Sequence, residues 1–303
     1  MKYIFIFLVG CLTISGCSKN DVESPDFEVS YDANKTYKVE DTVNFKFVGN
    51  AENIVFYSGM PGNNYGNLTR KQETGIPRLN FTTTLNYAGQ VNTLKLVAST
   101  DFNGKYTDTD VLAAKWDEIT APLATSVTAR ATGNIDLNGF LTTDNKPVYL
   151  AFIYTGYNHA TLNQPKWSIT AFTLNNILAD GSINPITTAS EMGWTQIDFK
   201  NNTTVWSLPT TGLISIDGTT PATGITKLKD DNDDWAISKP LNFKRVNVET
   251  GVSIKNLASA KLDSYSYVFS KEGTYKVAFI AFNTNQSDRR EILKELTITI
   301  NPK

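Results

Sequence analysis

Short segments in which apolar and polar residues alternate recur along the chain, and this period of two constrains the fold most. Examples are residues 42–48 (TVNFKFV), 93–97 (TLKLV) and 275–280 (YKVAFI), and Gly, Asn and Asp residues interrupt the chain between such segments. Alternation of this kind gives a β-strand one apolar face and one solvated face. Helical patterns are short, and many short strands with frequent turns are typical of antiparallel sandwiches. The sequence therefore predicts an all-β protein.

Charge and composition exclude several classes of function. The chain has 303 residues with 28 Lys+Arg against 30 Asp+Glu, so it lacks the basic excess that phosphate contacts along a nucleic acid require. One His and two Cys exclude most zinc frameworks and disulfide scaffolds. The length suggests two domains of about 100–200 residues each, with one large sandwich as the alternative.

The N-terminus has the features of a secretory signal. Lys2 precedes an apolar run over residues 3–10, which is shorter than the roughly 20 residues that span a bilayer as a helix. Residues 14–17 (ISGC) resemble a bacterial lipobox, which predicts a signal peptide over residues 1–16, lipid attachment and membrane anchoring at Cys17, and a tether over residues 17–25. An ordinary signal peptide with an incidental Cys17 is the alternative.

The tether carries a further resemblance. Residues 18–23 (SKNDVE) contain two acids and resemble the export signal that sends Bacteroidetes lipoproteins to the outer face of the outer membrane. This resemblance implies a lipid-anchored protein on the cell surface. A plain flexible linker is the alternative.

The two ends of the chain together resemble one immunoglobulin-like domain of the PKD type. Residues 37–45 (YKVEDTVNF) resemble the opening of such a domain, with Glu40 where glycine is usual, and residues 265–277 (YSYVFSKEGTYKV) resemble its closing strands. Neither end has enough strands to bury a core alone. We therefore predict one discontinuous domain over 26–65 and 262–303, split by an insert over 70–255. Two unrelated half-domains or one continuous sandwich are the alternatives.

The insert resembles the jelly-roll domains of cleaved adhesins and choice-of-anchor proteins. Four of its segments follow the latter half of that pattern, and two later segments follow its first half. These segments are residues 94–104, 116–120, 135–137 with 147–154, and 167–169, followed by 206–208 and 234–241. The order implies a circularly permuted jelly roll.

Over most of its mature length the chain resembles uncharacterised Bacteroides-type surface lipoproteins that carry a domain of unknown function. Residues 27–62 and the turn at 99–104 (STDFNG) carry this resemblance. It implies an outer-membrane setting, with polysaccharide and other outer-membrane proteins of a polysaccharide-utilisation system as partners. It implies no established activity.

One loop and one tryptophan are candidates for glycan binding. The loop over residues 154–165 holds Tyr157, Asn158 and His159, and aromatic rings beside amides suit a sugar surface. Trp194 is a further candidate for an exposed ring. The other four tryptophans fall where the jelly-roll pattern requires packed residues, so core packing is predicted for them. An ordinary solvated turn is the alternative for the loop.

Two acidic clusters are candidates for structural calcium, and no other cofactor is predicted. Asp101, Asn103, Asp108 and Asp110 offer oxygen ligands near one turn, and residues 230–234 (DDNDD) offer more. Calcium binds oxygen ligands, but neither cluster has the spacing of a helical calcium loop. Solvated acidic turns are the alternative for both.

The sequence thus predicts a non-catalytic, lipid-anchored protein that binds glycan through loops of its insert. Cleavage before Cys17 would remove Cys11, and lipid attachment would use Cys17, so no cysteine would remain as a catalytic nucleophile. A Ser-His-acid triad would have to use His159, and the sequence has no nucleophile-elbow motif. The alternatives are a structural or adhesion lipoprotein that engages another envelope protein, and a glycoside hydrolase using two carboxylates.

Overall fold

The computed structural model describes residues 21–87, 89–219 and 230–303, and it is nearly all β, which confirms the predicted fold class. The chain divides into two compact units. The terminal unit combines the described residues up to Gly66 with Thr250–Lys303, and the central unit is Asn67–Glu249.

Nineteen strands occur in the described residues, and their order along the chain follows these two units. The strands of the first chain segment are β1 (Phe27–Ser30), β2 (Tyr37–Lys38), β3 (Thr42–Gly49) and β4 (Asn53–Tyr57). Those of the central unit are β5 (Ile76–Asn86), β6 (Leu94–Ser99), β7 (Asp117–Glu118), β8 (Arg130–Ala131), β9 (Ile135–Asp136), β10 (Tyr149–Gly156), β11 (Lys166–Ile177), β12 (Ile183–Thr188), β13 (Thr195–Lys200), β14 (Ile214–Asp217) and β15 (Asn232–Ile237). The last segment adds β16 (Val252–Lys255), β17 (Ser264–Val268), β18 (Gly273–Thr284) and β19 (Arg289–Asn301).

Helical structure is sparse in the described residues. The single α-helix, α1, covers Asp108–Ala113, and Thr107 caps its N-terminus by accepting a hydrogen bond from the Asp110 backbone N–H. Short 3-10 turns cover Tyr65–Asn67, Asn138–Phe140 and Ala189–Glu191. No helix in this part of the chain is long and apolar enough to cross a membrane.

The terminal unit packs a three-stranded sheet, β1-β3-β17, against a five-stranded sheet, β16-β4-β18-β19-β2. The alternation in β3 places Val43, Phe45 and Phe47 inside while the residues between them stay exposed. Phe279 of β18 lies among the rings contributed by the facing sheet. One shared core therefore holds strands from both ends of the chain.

The boundary of the insert differs from the predicted position at 255. Strand β16 pairs with β4, so residues 252–255 belong to the terminal unit. Glu40, where the PKD pattern has glycine, adopts a positive φ of 71°, a backbone conformation that glycine adopts readily. The finer resemblances to a PKD domain and to a permuted jelly roll stay predictions.

The central unit also has two facing sheets, one ordered β13-β15-β10-β6-β7 and the other β12-β11-β5-β8 with β14 and β9 attached. Its main core contains Phe81, Phe152 and Trp167 from the two inner faces. A smaller cluster on the outer face of the first sheet includes Val111 of α1. The predicted core packing is confirmed for Trp167 and Trp206, which are buried in the main core. Trp116 and Trp235 are partly buried and pack against the smaller outer cluster.

Candidate functional site

The candidate loop lies at one end of the central unit, where several strands begin or end together. Gly156 at the end of β10 pairs with Asn232 at the start of β15, and Asn86 at the end of β5 pairs with Lys166 at the start of β11. The indole Nε1 of Trp167 donates to the Thr93 hydroxyl at 2.9 Å, which joins the two sheets at this end. Residues 157–165 and the described residues 87 and 89–93 therefore lie in neighbouring connections at one end of the sandwich.

Gln90 fixes these two connections to each other. Its side chain is 2% exposed, and its Nε2 donates to the carbonyls of Tyr157 at 2.7 Å and Leu162 at 3.2 Å. Its Oε1 accepts from the Tyr157 backbone N–H at 2.9 Å. Because a buried amide with both ends hydrogen-bonded holds its partners in place, the two loops form one fixed structure.

Gln164 and Gly89 complete this packing. Gln164 is fully buried, and its Nε2 donates to the Asp230 carbonyl at 2.6 Å. A Cβ at Gly89 would lie 2.5 Å from the Asn163 carbonyl oxygen, so the close approach of the two loops requires glycine there.

Four large apolar or aromatic side chains are exposed on these loops. Tyr87 is 64% exposed, Val91 74%, Tyr157 45% and Leu162 39%. We call these four residues, together with Asn158 and His159, the loop-end surface. Exposed rings and aliphatic groups grouped on loops that are fixed by buried amides are typical of a binding surface.

Tyr87 has an unusual backbone conformation for an aromatic residue. Its φ is 57°, in the left-handed region that bulky side chains rarely adopt. Such conformations persist where the surrounding structure imposes them, and they concentrate at functional sites. Sequence reasoning missed Tyr87 and Val91 because nothing local links residues 87–91 to a loop about 70 residues later in the chain.

His159 shapes its own loop. Its Nδ1 accepts hydrogen bonds from the backbone N–H groups of Thr161 at 3.1 Å and Leu162 at 2.9 Å, and its ring lies 6.3 Å from the Tyr157 ring, edge to face. No carboxylate of the described residues hydrogen-bonds to this imidazole. The arrangement orients the Tyr157 loop and does not form a nucleophile–base–acid triad in the described part of the chain.

Trp194 does not contribute to the loop-end surface, so the expectation of an exposed ring is corrected. Its ring packs 5.6 Å from Phe152 and 5.8 Å from Phe172, and its indole N–H is buried. It precedes β13, whose first residue pairs with Ile237 and thereby with Ala151 at the start of β10. Tyr157 follows the other end of β10, so the two rings are separated by about 20 Å along the strand.

In the first candidate calcium site, the carboxylate oxygens of Asp101 and Asp110 accept hydrogen bonds from groups of the same turn and its flanking residues. Asp110 accepts from Asn103 Nδ2 and the Thr107 hydroxyl, both at 2.5 Å, and these hydrogen bonds lower the pKa of Asp110. Asp101 accepts from the Ser99 hydroxyl at 2.9 Å and the Lys115 N–H at 3.0 Å, while Asp108 is exposed. In the described ranges no three His, Cys, Asp or Glu side chains group to hold a metal. The geometry of this turn is that of a hydrogen-bonded loop with a capped helix.

The remaining predicted site residue, Cys17, lies outside the described residues, as do the signal peptide and the first part of the tether. The other acidic cluster, residues 230–234, is divided between two environments. Asp231 accepts from the Asn158 N–H at 2.9 Å, whereas Asn232 and Asp234 are buried on the inner face of β15. A run of acids in the sequence therefore contains two residues that point into the core.

Comparison with known proteins identifies one family. The family model described as Domain of unknown function (DUF5017) matches residues 16–194, which is more than half of the chain and includes both loops of the loop-end surface. Searches of curated proteins and of solved structures found no match. The chain belongs to the DUF5017 family.

Proposed function

We propose that this protein is a lipid-anchored outer-membrane protein, exposed on the cell surface, that binds a glycan without catalysing a reaction. The observation that carries this proposal is the exposure of Tyr87 and Tyr157 on two loops that Gln90 fixes together. Asn158 and the imidazole of His159 lie beside the Tyr157 ring in the chain and supply polar groups.

The physical basis is the combination of flat rings and hydrogen-bonding groups on a rigid frame. Sugar rings present C–H faces that pack on aromatic rings, while their hydroxyls hydrogen-bond to amides and backbone groups. Because the loops are already fixed, binding requires little ordering of the protein. Loops at the end of a sandwich can also reach an extended polysaccharide chain from solvent.

Removing either exposed ring should weaken glycan binding. We expect Tyr157→Ala and Tyr87→Ala each to reduce affinity by about tenfold or more, equivalent to about 1.4 kcal/mol. Affinity electrophoresis across a panel of polysaccharides, followed by titration calorimetry on the best binder, measures this. Leu112→Ala is the matched control, because Leu112 is a 69% exposed apolar residue on α1 and is not part of the loop-end surface.

Two outcomes would contradict the glycan proposal. One is the absence of retardation by every polysaccharide of a broad panel. The other is retardation that both tyrosine variants retain in full.

A structural or adhesion role is the second candidate, and the aliphatic members of the loop-end surface favour it. Val91 and Leu162 expose apolar groups that would pack better on a protein partner than on a sugar. Recovery of a stoichiometric envelope protein from detergent-solubilised membranes, lost on Val91→Asp, would support this role over glycan binding.

The anchor has its own test at Cys17. We expect Cys17→Ala to move the protein from the membrane fraction to the soluble fraction, because the acyl chains supply the membrane affinity. Accessibility of the wild-type protein to protease on intact cells measures surface exposure. A Cys17→Ala variant that stays in the membrane fraction would contradict lipid anchoring.

A further inference from the structure

Three residues on two neighbouring strands of the central unit, β13 and β15, together hold four buried oxygen atoms without a hydrogen-bond partner. These atoms are both carboxylate oxygens of Asp234, Oδ2 of Asp198 and Oδ1 of Asn232. Buried polar atoms are nearly always hydrogen-bonded, so such a group of unpartnered oxygens requires an explanation.

Strand pairing places these three side chains on one face. Asp198 of β13 lies directly opposite Asp234 of β15, and directly paired residues of antiparallel strands point to the same side. Asn232 is two residues before Asp234 on the same strand, so it also faces inward. Asp234 is fully buried, Asn232 is 3% exposed, and Asp198 is half-buried at the edge strand.

The group carries negative charge and no compensating cation from the described residues. No Lys, Arg or His of the described ranges forms an ion pair with Asp198 or Asp234, and Lys200 at the end of β13 pairs with Asp231 instead. An unpaired buried carboxylate costs several kcal/mol, so this position favours either a proton or a bound cation.

We propose that Asp198, Asn232 and Asp234 bind one calcium ion. All the unpartnered atoms that these three side chains offer as metal ligands are oxygens, which favours a hard cation over zinc. Asp234 can bind through both oxygens, and Asp198 and Asn232 each add one, with water completing the about six to eight ligands that calcium takes. Magnesium fits less well because it requires a near-ideal octahedron and retains its waters.

The bound ion would join β13 to β15 and neutralise the two carboxylates. This role is independent of glycan binding, because its residues differ from those of the loop-end surface. It also differs from the calcium site that Asp101, Asn103, Asp108 and Asp110 suggested, since those side chains hydrogen-bond within their own loop or face solvent.

Calcium titration of the chelator-treated full-length protein tests the proposal. We expect one calcium per chain by calorimetry and by native mass spectrometry, and a rise of Tm on adding calcium. Asp234→Asn should weaken calcium binding at least tenfold and remove the Tm rise. Asp110→Asn is the matched control and should leave both unchanged.

Terbium luminescence locates the ion independently. The indole Nε1 of Trp206 donates to the Asp234 carbonyl at 3.1 Å, so tryptophan excitation should sensitise terbium bound at this position. Calcium should displace the terbium and quench the emission. Trp206→Phe should reduce the emission while the calorimetric calcium affinity stays within about threefold of wild type.

Several results would overturn the proposal. They are the absence of calcium binding at millimolar concentration, magnesium binding as tight as calcium binding, or an Asp234→Asn variant with wild-type calcium affinity. If Asp234→Asn does not fold, Asp198→Asn carries the same test, because Asp198 is only half-buried, and wild-type affinity in that variant would equally overturn it.

Discussion

Replacing Phe279 with alanine should lower the free energy of unfolding of the terminal unit by about 3–5 kcal/mol. Phe279 is fully buried, and its ring centroid lies 5.1 Å from that of Phe45, 5.3 Å from that of Phe47 and 5.2 Å from that of Phe56. Its removal leaves a cavity between two sheets whose backbones cannot close over it. Few single changes remove as much packing from this unit.

Hydrogen exchange measured by mass spectrometry can follow this loss in peptides from β4 and β18. Tryptophan emission cannot report unfolding of the terminal unit, because all five tryptophans lie in residues 67–249, the central unit. Leu293→Ala on β19 is the control, since Leu293 is 39% exposed and its loss should cost less than about 1 kcal/mol. Equal protection losses in the two variants would refute the assignment of Phe279 to the centre of this core.

In calcium-free buffer the wild-type protein should become less stable as pH rises from about 5 to 9, and Asp234→Asn should lose most of this pH dependence. The pKa of Asp234 is raised from 3.8 to about 8 in the folded state, so the folded protein binds a proton that the unfolded chain releases. This contribution is fully present below pH 3.8 and is lost as the pH passes through about 8. Since one pKa unit corresponds to about 1.36 kcal/mol, the loss amounts to several kcal/mol.

Urea unfolding followed by tryptophan emission at a series of pH values measures this slope. Burial also raises the pKa values of the neighbouring Asp198 and Asp233, so these two acids supply the part of the slope that Asp234→Asn retains. The fully buried Tyr154 pairs with Asp234 across β10 and β15. Asp110→Asn should keep the wild-type slope, because the pKa of Asp110 is lowered. A wild-type stability that is flat between pH 5 and 9 would contradict the assignment.

The sequence predicted the fold class and part of the core. Alternation in residues 42–48 predicted strand β3 and its inward Val43, Phe45 and Phe47, because a period of two is a local property of the chain. The packing of Trp167 and Trp206 was predicted from the resemblance to the jelly-roll pattern, and both are buried. Local patterns are sufficient for such features.

The sites depended on contacts between distant segments, which local patterns do not reveal. The loop over 154–165 was identified, but its partner was not, because Gln90 contacts it across 67 and 72 residues. Trp194 lacked a local reason to be buried, and its partners Phe152 and Phe172 come from other strands. In residues 230–234 only the register of β15 distinguishes the inward Asn232 and Asp234 from Asp233, which lies between them and points to the outer face.

The pairing of β3 with β17 sets the order in which this protein can fold. Lys46 pairs with Ser264, so the small sheet of the terminal unit joins residues more than 200 positions apart. As the chain emerges, the central unit becomes complete while β3 still lacks β17 and β4 still lacks β16 and β18. Closing so long a loop is slow, and unpaired strands expose apolar surface in the meantime. We therefore expect chaperone binding to matter most while the terminal unit still lacks its C-terminal strands.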